Sequence, residues 1–145
     1  MPLTSDDEIG ALLSGARTIA MIGASNRPDR ASYGVMRFLQ QHGYRVIPVN
    51  PQIAGTELHG ETIQRDLKQI DVPIDIVDVF RRSEFAGEAV DQAIAAGAKA
   101  VWMQLGVTDE AAAARAEDAG LQVVMDHCPK IEIGRLGLAR VAERT

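Results

Sequence analysis

Five short apolar runs, at residues 17–23, 44–49, 74–80, 98–104 and 121–125, alternate along the chain with segments of helical periodicity. In the first, Ile19, Ala20, Met21 and Ile22 follow one another with no polar residue between them. Such a run marks a strand covered on both faces, as in a parallel sheet held between two helix layers. The intervening segments carry helix signals. Val35, Phe38 and Leu39 recur in three- and four-residue steps before Gly43, and Phe85, Ala89, Val90, Ala93 and Ile94 do so before Gly97. Ser83 and Thr108 are expected N-caps, Gly120 an expected helix stop, and Pro129 opens a terminal helix at its first position. Ser5 and Glu8 have capping-box spacing ahead of Ile9, Leu12 and Leu13, so a leading helix is expected over residues 1–15. Residues 52–71 read as a polar connection with one helical turn near 66–70.

Strands alternating with helices in this way require parallel pairing through right-handed crossovers. The expected fold is α/β, a three-layer Rossmann-like doubly wound parallel sheet of five strands in the order 3-2-1-4-5. With 145 residues and no linker or repeat, a single domain over 1–145 is expected, with residues 1–15 packed on it as the leading helix.

A net charge of -5 argues against a general nucleic-acid binder, which needs a basic surface to displace phosphate counterions. An anionic small ligand is still compatible, because local donors act over a few ångströms in salt. The lone Cys128 makes no internal disulfide, no apolar run is long enough to span a membrane, and no secretory signal pattern opens the chain. A cytoplasmic location is the expectation. The three histidines and Cys128 show no metal-ligand spacing, so no metal is expected. Asp126, His127 and Cys128 are consecutive on an extended segment and point to alternate sides, which rules against a Cys-His catalytic pair. Trp102 reads as core, and Asp78 is expected to accept hydrogen bonds from loop amides.

In an open parallel sheet, ligands bind beyond the carboxyl ends of the strands, where the strand order reverses. Residues 23–34 therefore matter most, since they run from a buried strand straight into a helix. Gly23 permits a sharp turn and close approach; Ser25, Ser32 and the amides near Tyr33 and Gly34 can donate to phosphate oxygens; Arg30 adds a guanidinium. The loop is not the dinucleotide fingerprint, because Ser25 stands where a second Gly is needed and a long insertion precedes Gly34. Strand two ends in Val49, Asn50 and Pro51, with no acid for a ribose 2′-hydroxyl. Arg81 and Arg82 leave strand three on the same side, where a guanidinium suits a phosphate.

The succession Gly23-Ala24-Ser25, Arg30-Ala31-Ser32-Tyr33-Gly34, Val46-Ile47-Pro48-Val49-Asn50-Pro51, Asp78-Val79-Phe80-Arg81, Val101-Trp102-Met103-Gln104-Leu105-Gly106 and Met125-Asp126-His127-Cys128-Pro129 resembles the small stand-alone CoA-binding proteins of bacteria, relatives of the N-terminal domain of the succinyl-CoA synthetase α subunit. The resemblance covers about residues 18–138. It implies a CoA diphosphate over Ala24, Ser25 and the helix start at Ser32 to Gly34, adenosine near Pro48, Val49, Asn50 and Pro51, and Phe80 and Arg81 flanking the cofactor. Gln104, Gly106 and Cys128 complete the implied cofactor-binding set, Cys128 being of interest because CoA carries a thiol.

No nucleophile with an oriented base is visible, so the expected function is a module that binds CoA or an acyl-CoA without a catalytic group of its own. The alternatives are an NAD(P)-binding oxidoreductase or redox-sensing nucleotide domain, and an assembly protein with a degenerate pocket. The expected partner is the small-molecule cofactor, not nucleic acid or membrane; a homodimer is compatible with the apolar terminal helix.

Overall fold

The computed structural model describes residues 1–143; the last two residues of the expected 1–145 span lie outside the described residues. Along the chain run α1 (Asp6–Gly15), β1 (Thr18–Ile22), α2 (Ala31–Gln41), β2 (Arg45–Val49), a small hairpin of β3 (Glu57–Leu58) and β4 (Glu61–Thr62), β5 (Ile76–Val79), α3 (Ser83–Ala95), β6 (Ala100–Met103), α4 (Glu110–Asp118), β7 (Gln122–Val124) and α5 (Pro129–Leu136). Every expected apolar run forms a strand, and the five pair in parallel into one sheet.

Alternate residues on each strand serve opposite layers. Ile19 and Met21 pack with Ile9, Leu13, Met36, Leu39 and Ile133 beneath α1, α2 and α5. Ala20 and Ile22 pack with Val90, Ala93, Ala113 and Ala116 beneath α3 and α4. This double cover explains the unbroken apolar runs. The capping box forms as expected: the Glu8 amide donates to Ser5 Oγ at 3.1 Å, and Ser5 Oγ to Glu8 Oε1 at 2.9 Å.

The strand order differs from the one expected. The sheet runs β2-β1-β5-β6-β7, so the third long strand, β5, lies on the far side of β1 and β2 is an edge. Pro48 is the physical reason. It lacks an N–H, and a proline is tolerated on an edge strand but not between two ladder partners. Its carbonyl accepts from Gln64 at 2.9 Å on the outer side, in a single-residue bridge with no full strand beyond. Since N–H and C=O of a parallel-strand residue face the same neighbour, the missing donor faces that outer side as well.

Two expected caps are also reassigned. Asp109, not Thr108, caps α4 by accepting from the Ala112 amide at 3.0 Å. Ser83 is the first residue of α3 itself, and its Oγ accepts from the Thr108 amide at 3.0 Å, tying the loops after β5 and β6 together. Asp78 is likewise not held by loop amides. It sits fully buried in mid-strand; the neighbouring Asp75 is the one held by main-chain amides, its Oδ2 accepting from Arg17 at 2.8 Å and Thr18 at 3.0 Å. Trp102 is core, with its indole N–H donating to the His127 carbonyl at 2.8 Å.

Candidate functional site

From β1 the chain crosses to β2 on one side and then to β5 on the other, so the order reverses between β1 and β5. A crevice must open there at the strands' carboxyl ends. A cleft of about 900 Å³ does so, crossing the ends of β2, β1, β5 and β6 and reaching the start of α5. Three strand spacings make that path about 14 Å wide. A depression of about 760 Å³ also runs along α3, lined by Asp66, Lys68, Glu88, Asp91 and Arg115, away from the strand ends.

The turn after β1 forms the cleft's centre. Gly23 has φ +86°, and a Cβ there would lie 2.0 Å from the Phe80 carbonyl oxygen. Only glycine lets the two strand ends approach so closely. Its amide donates to Val49 O at 3.0 Å. Ser25 donates its amide to Ser32 Oγ at 3.1 Å, closing the long loop onto the first turn of α2, and Ser25 Oγ accepts from the Arg27 amide at 3.1 Å. Arg30 occupies the N-cap position of α2 without a side-chain cap bond. The amides of Ala31 and Ser32, which start the helix, therefore have no acceptor among the described residues.

Arginines surround this turn. Arg27, Arg30, Arg81 and Arg82 all line the cleft. Arg27 stands 3.4 Å from Asp29 and Arg82 3.7 Å from Glu84, both exposed pairs. Arg30 and Arg81 have no carboxylate partner among the described residues; the Arg81 guanidinium lies 5.8 Å from the Phe85 ring centroid. Unneutralised guanidinium groups beside open helix amides make this corner electropositive in an otherwise acidic protein.

The remaining expected residues divide into two groups. Gly23, Ser25, Arg30, Ser32, Asn50, Phe80, Arg81, Gln104 and Cys128 all line the cleft. The other group stands outside that lining. Ala24 is buried beneath the turn, where its carbonyl accepts from Asn50 Nδ2 at 2.9 Å. Val49 is core, and Pro51 is exposed beyond it. Tyr33 packs its ring edge on His59 at 4.3 Å and accepts from His59 Nε2 at 3.1 Å, so it anchors the hairpin. Gly34 faces open space. Gly106 has φ +86° and donates to Asp126 Oδ1 at 2.7 Å, fastening the β6 loop to the β7 loop.

Asn50 has little left for a ribose, since its Oδ1 already accepts from the Gln52 amide at 2.9 Å. Several lining residues were not singled out in the sequence: Gln52 and Ile53 at the β2 end, and Val107 and Ile131 at the far end, beside Leu105 of the β6-end motif. Leu105 and Ile131 are 58% and 52% exposed, an apolar lip at the mouth. Arg27 was legible in principle, being in the same loop as Arg30. The apolar lip was not, because single exposed apolar residues carry no periodic signal.

Comparison with known proteins agrees with this geometry. Residues 17–134 match the family model described as a CoA binding domain. The uncharacterized protein YneT of Bacillus subtilis (strain 168) is 41% identical over 127 residues, covering 88% of this chain and 93% of YneT. A hypothetical protein from Pyrococcus horikoshii OT3 superimposes with a TM-score of 0.88 at 36% identity, over 95% of this chain and 97% of that one. A Thermus thermophilus structure does so at 0.87 and 38%, over 92% and 99%. With most of its length inside that family model and relatives of matching length on the same fold, the chain belongs to the CoA-binding domain family.

Proposed function

We propose that this protein binds coenzyme A, or an acyl-CoA, in the cleft across the ends of β2, β1, β5 and β6, and that it does so as a binding module without a catalytic group of its own. The observation that carries the reading is the β1 corner: backbone pressed against β5 through Gly23, two open amides at the start of α2, and the unpaired Arg30 and Arg81. A diphosphate fits this donor set, because helix N-termini and guanidinium groups both favour anionic oxygens. When bound, CoA supplies a thiol that carries acyl groups. The chain's own residues hold and orient the cofactor: the α2 amides and Ser32 take the diphosphate, and Arg81 takes a further phosphate.

Calorimetric titration with CoA, dephospho-CoA, NAD and ATP side by side tests the proposal. CoA is expected to bind most tightly, and at 100 times its dissociation constant to stabilise the fold by about 2.7 kcal/mol. Binding of NAD without binding of CoA would overturn the assignment. Arg81→Gln is expected to weaken CoA about tenfold, the scale of one charge-assisted hydrogen bond, and to narrow the gap between CoA and dephospho-CoA. An unchanged gap would remove Arg81 from the 3′-phosphate.

A further inference from the structure

Four large apolar side chains are exposed among the described residues, and two of them, Leu105 after β6 and Ile131 on α5, meet at the far mouth of the cleft. The main chain holds both in place. Leu105 stands at the corner of a tight turn, where the Val107 amide donates to Gln104 O at 2.8 Å and the Gly106 amide to Asp126 Oδ1 at 2.7 Å. Such a corner faces water and ordinarily takes a polar residue or proline. Ile131 lies in the first turn of α5, whose buried side is made by Pro129, Glu132 and Ile133. Packing therefore accounts for neither side chain. Scattered exposed apolar residues need no explanation, but two from separate elements converging on one cleft mouth do.

Charge divides the cleft in the same way. Its four lining arginines belong to the loops after β1 and β5, whereas among the described residues no Asp, Glu, Lys, Arg or His lines the β6 and α5 end. That end lies one strand spacing, about 5 Å, from the β5 corner, so a ligand arm several times that long, running from phosphates held there, ends on the lip. We propose that Leu105 and Ile131, over Val107, receive the acyl group of the ligand, and that this group is a neutral aliphatic chain, not one ending in a carboxylate. A saturated chain shields these side chains from water, whereas a terminal carboxylate loses hydration there and meets no cation in exchange. The inference rests on the ligand being CoA or its thioester, and adds which thioester the protein prefers.

Calorimetric titration of the wild-type protein with CoA and with acetyl-, butyryl-, hexanoyl- and succinyl-CoA measures this. A methylene fully buried is worth about fourfold in affinity, so one resting on an open lip is expected to give about twofold, accumulating from acetyl to hexanoyl. Butyryl-CoA is expected to bind about tenfold more tightly than succinyl-CoA, which has the same number of acyl carbons. The double variant Leu105→Ser, Ile131→Ser is altered only at exposed positions and is expected to melt like wild type while losing the trend, with hexanoyl- and acetyl-CoA binding within about twofold of each other. Equal affinity of the wild-type protein for acetyl- and hexanoyl-CoA would overturn the inference, as would succinyl-CoA matching butyryl-CoA, or a trend that survives in the folded double variant. If neither CoA nor any thioester binds, the proposed function itself falls. If all of them bind alike, the proposed function stands and only the acyl subsite falls.

Discussion

Gly23→Ala is expected to lower the thermal midpoint by about 10 °C and to abolish CoA binding. The backbone at Gly23 has φ +86°, a region L side chains rarely adopt. The added methyl would sit 2.0 Å from the Phe80 carbonyl oxygen and 2.9 Å from its carbonyl carbon. Both are backbone atoms, so no rotamer change relieves the overlap. Moving Phe80 means moving the end of β5, whose amide there donates to Ile22 at 2.8 Å. Moving Gly23 breaks its bond to Val49 and lifts the turn from β2. Strain of this kind is on the order of 3 kcal/mol, which for a domain of this size corresponds to the shift stated. Gly34→Ala is the control. That position is helical, exposed and has nothing within 4 Å, so alanine is expected to raise stability by about 0.5 to 1 kcal/mol. Thermal melts of both variants, with and without CoA, check the pair. A Gly23→Ala protein that melts within a degree of wild type would show that the β1 and β5 ends are not held in contact.

The parts of this molecule that were legible in the sequence are those where one physical demand acts alone. A strand covered on both faces must be apolar throughout, and each of the five runs became a strand. The turn after β1 was legible because its place is dictated by topology and its residues are of types that face phosphate. Competition between equal local candidates defeated the reading elsewhere. Thr108 and Asp109 can both cap α4 by residue type; the structure gives the cap to Asp109, whose Oδ1 accepts from the Ala112 amide, while Ser83 falls inside α3 as its first residue. Tyr33 and Gly34 looked like helix-start residues, but α2 begins at Ala31, which turns one toward the hairpin and the other to solvent. The hairpin itself has strands of only two residues, mostly polar, turning at His59 with φ +50°, and leaves no periodic trace. Strand order was the instructive failure. Pro48, inside an apolar run, carries the physical signal for an edge strand, because a strand between two ladder partners has no place for a residue without an N–H.

Asp78→Asn is expected to make the protein more stable above neutral pH and to flatten its dependence of stability on pH. Asp78 occupies the third position of β5, flanked in register by Met21 on β1 and Trp102 on β6, on the sheet face beneath α2 and α5. It is fully buried, and neither carboxylate oxygen has a hydrogen-bond partner among the described residues. Burial alone pushes its pKa well above the usual carboxylate range. The folded protein therefore keeps a proton that the unfolded chain gives up above about pH 4, and stability must fall as pH rises from there toward the folded pKa. The decline is about 1.4 kcal/mol per pH unit in that window, or roughly 4 °C in midpoint. Asp75 works in the opposite sense. Burial raises its pKa, but the amides of Thr18 and Arg17 and the Lys99 ammonium at 3.3 Å outweigh that and leave it below the usual range. Its stabilisation is present above the unfolded pKa and lost as pH falls through the folded one. The two groups together give a stability maximum in mildly acid solution. Asp78→Asn should flatten only the limb on the alkaline side, and Asp75→Asn should make the acid limb shallower without abolishing it, because Asp6, hydrogen-bonded to Arg135, is also held below the usual range. Melting curves of the three proteins from pH 3 to pH 9 measure this directly, and parallel curves for wild type and Asp78→Asn would mean that the buried carboxyl holds no proton the unfolded chain lacks.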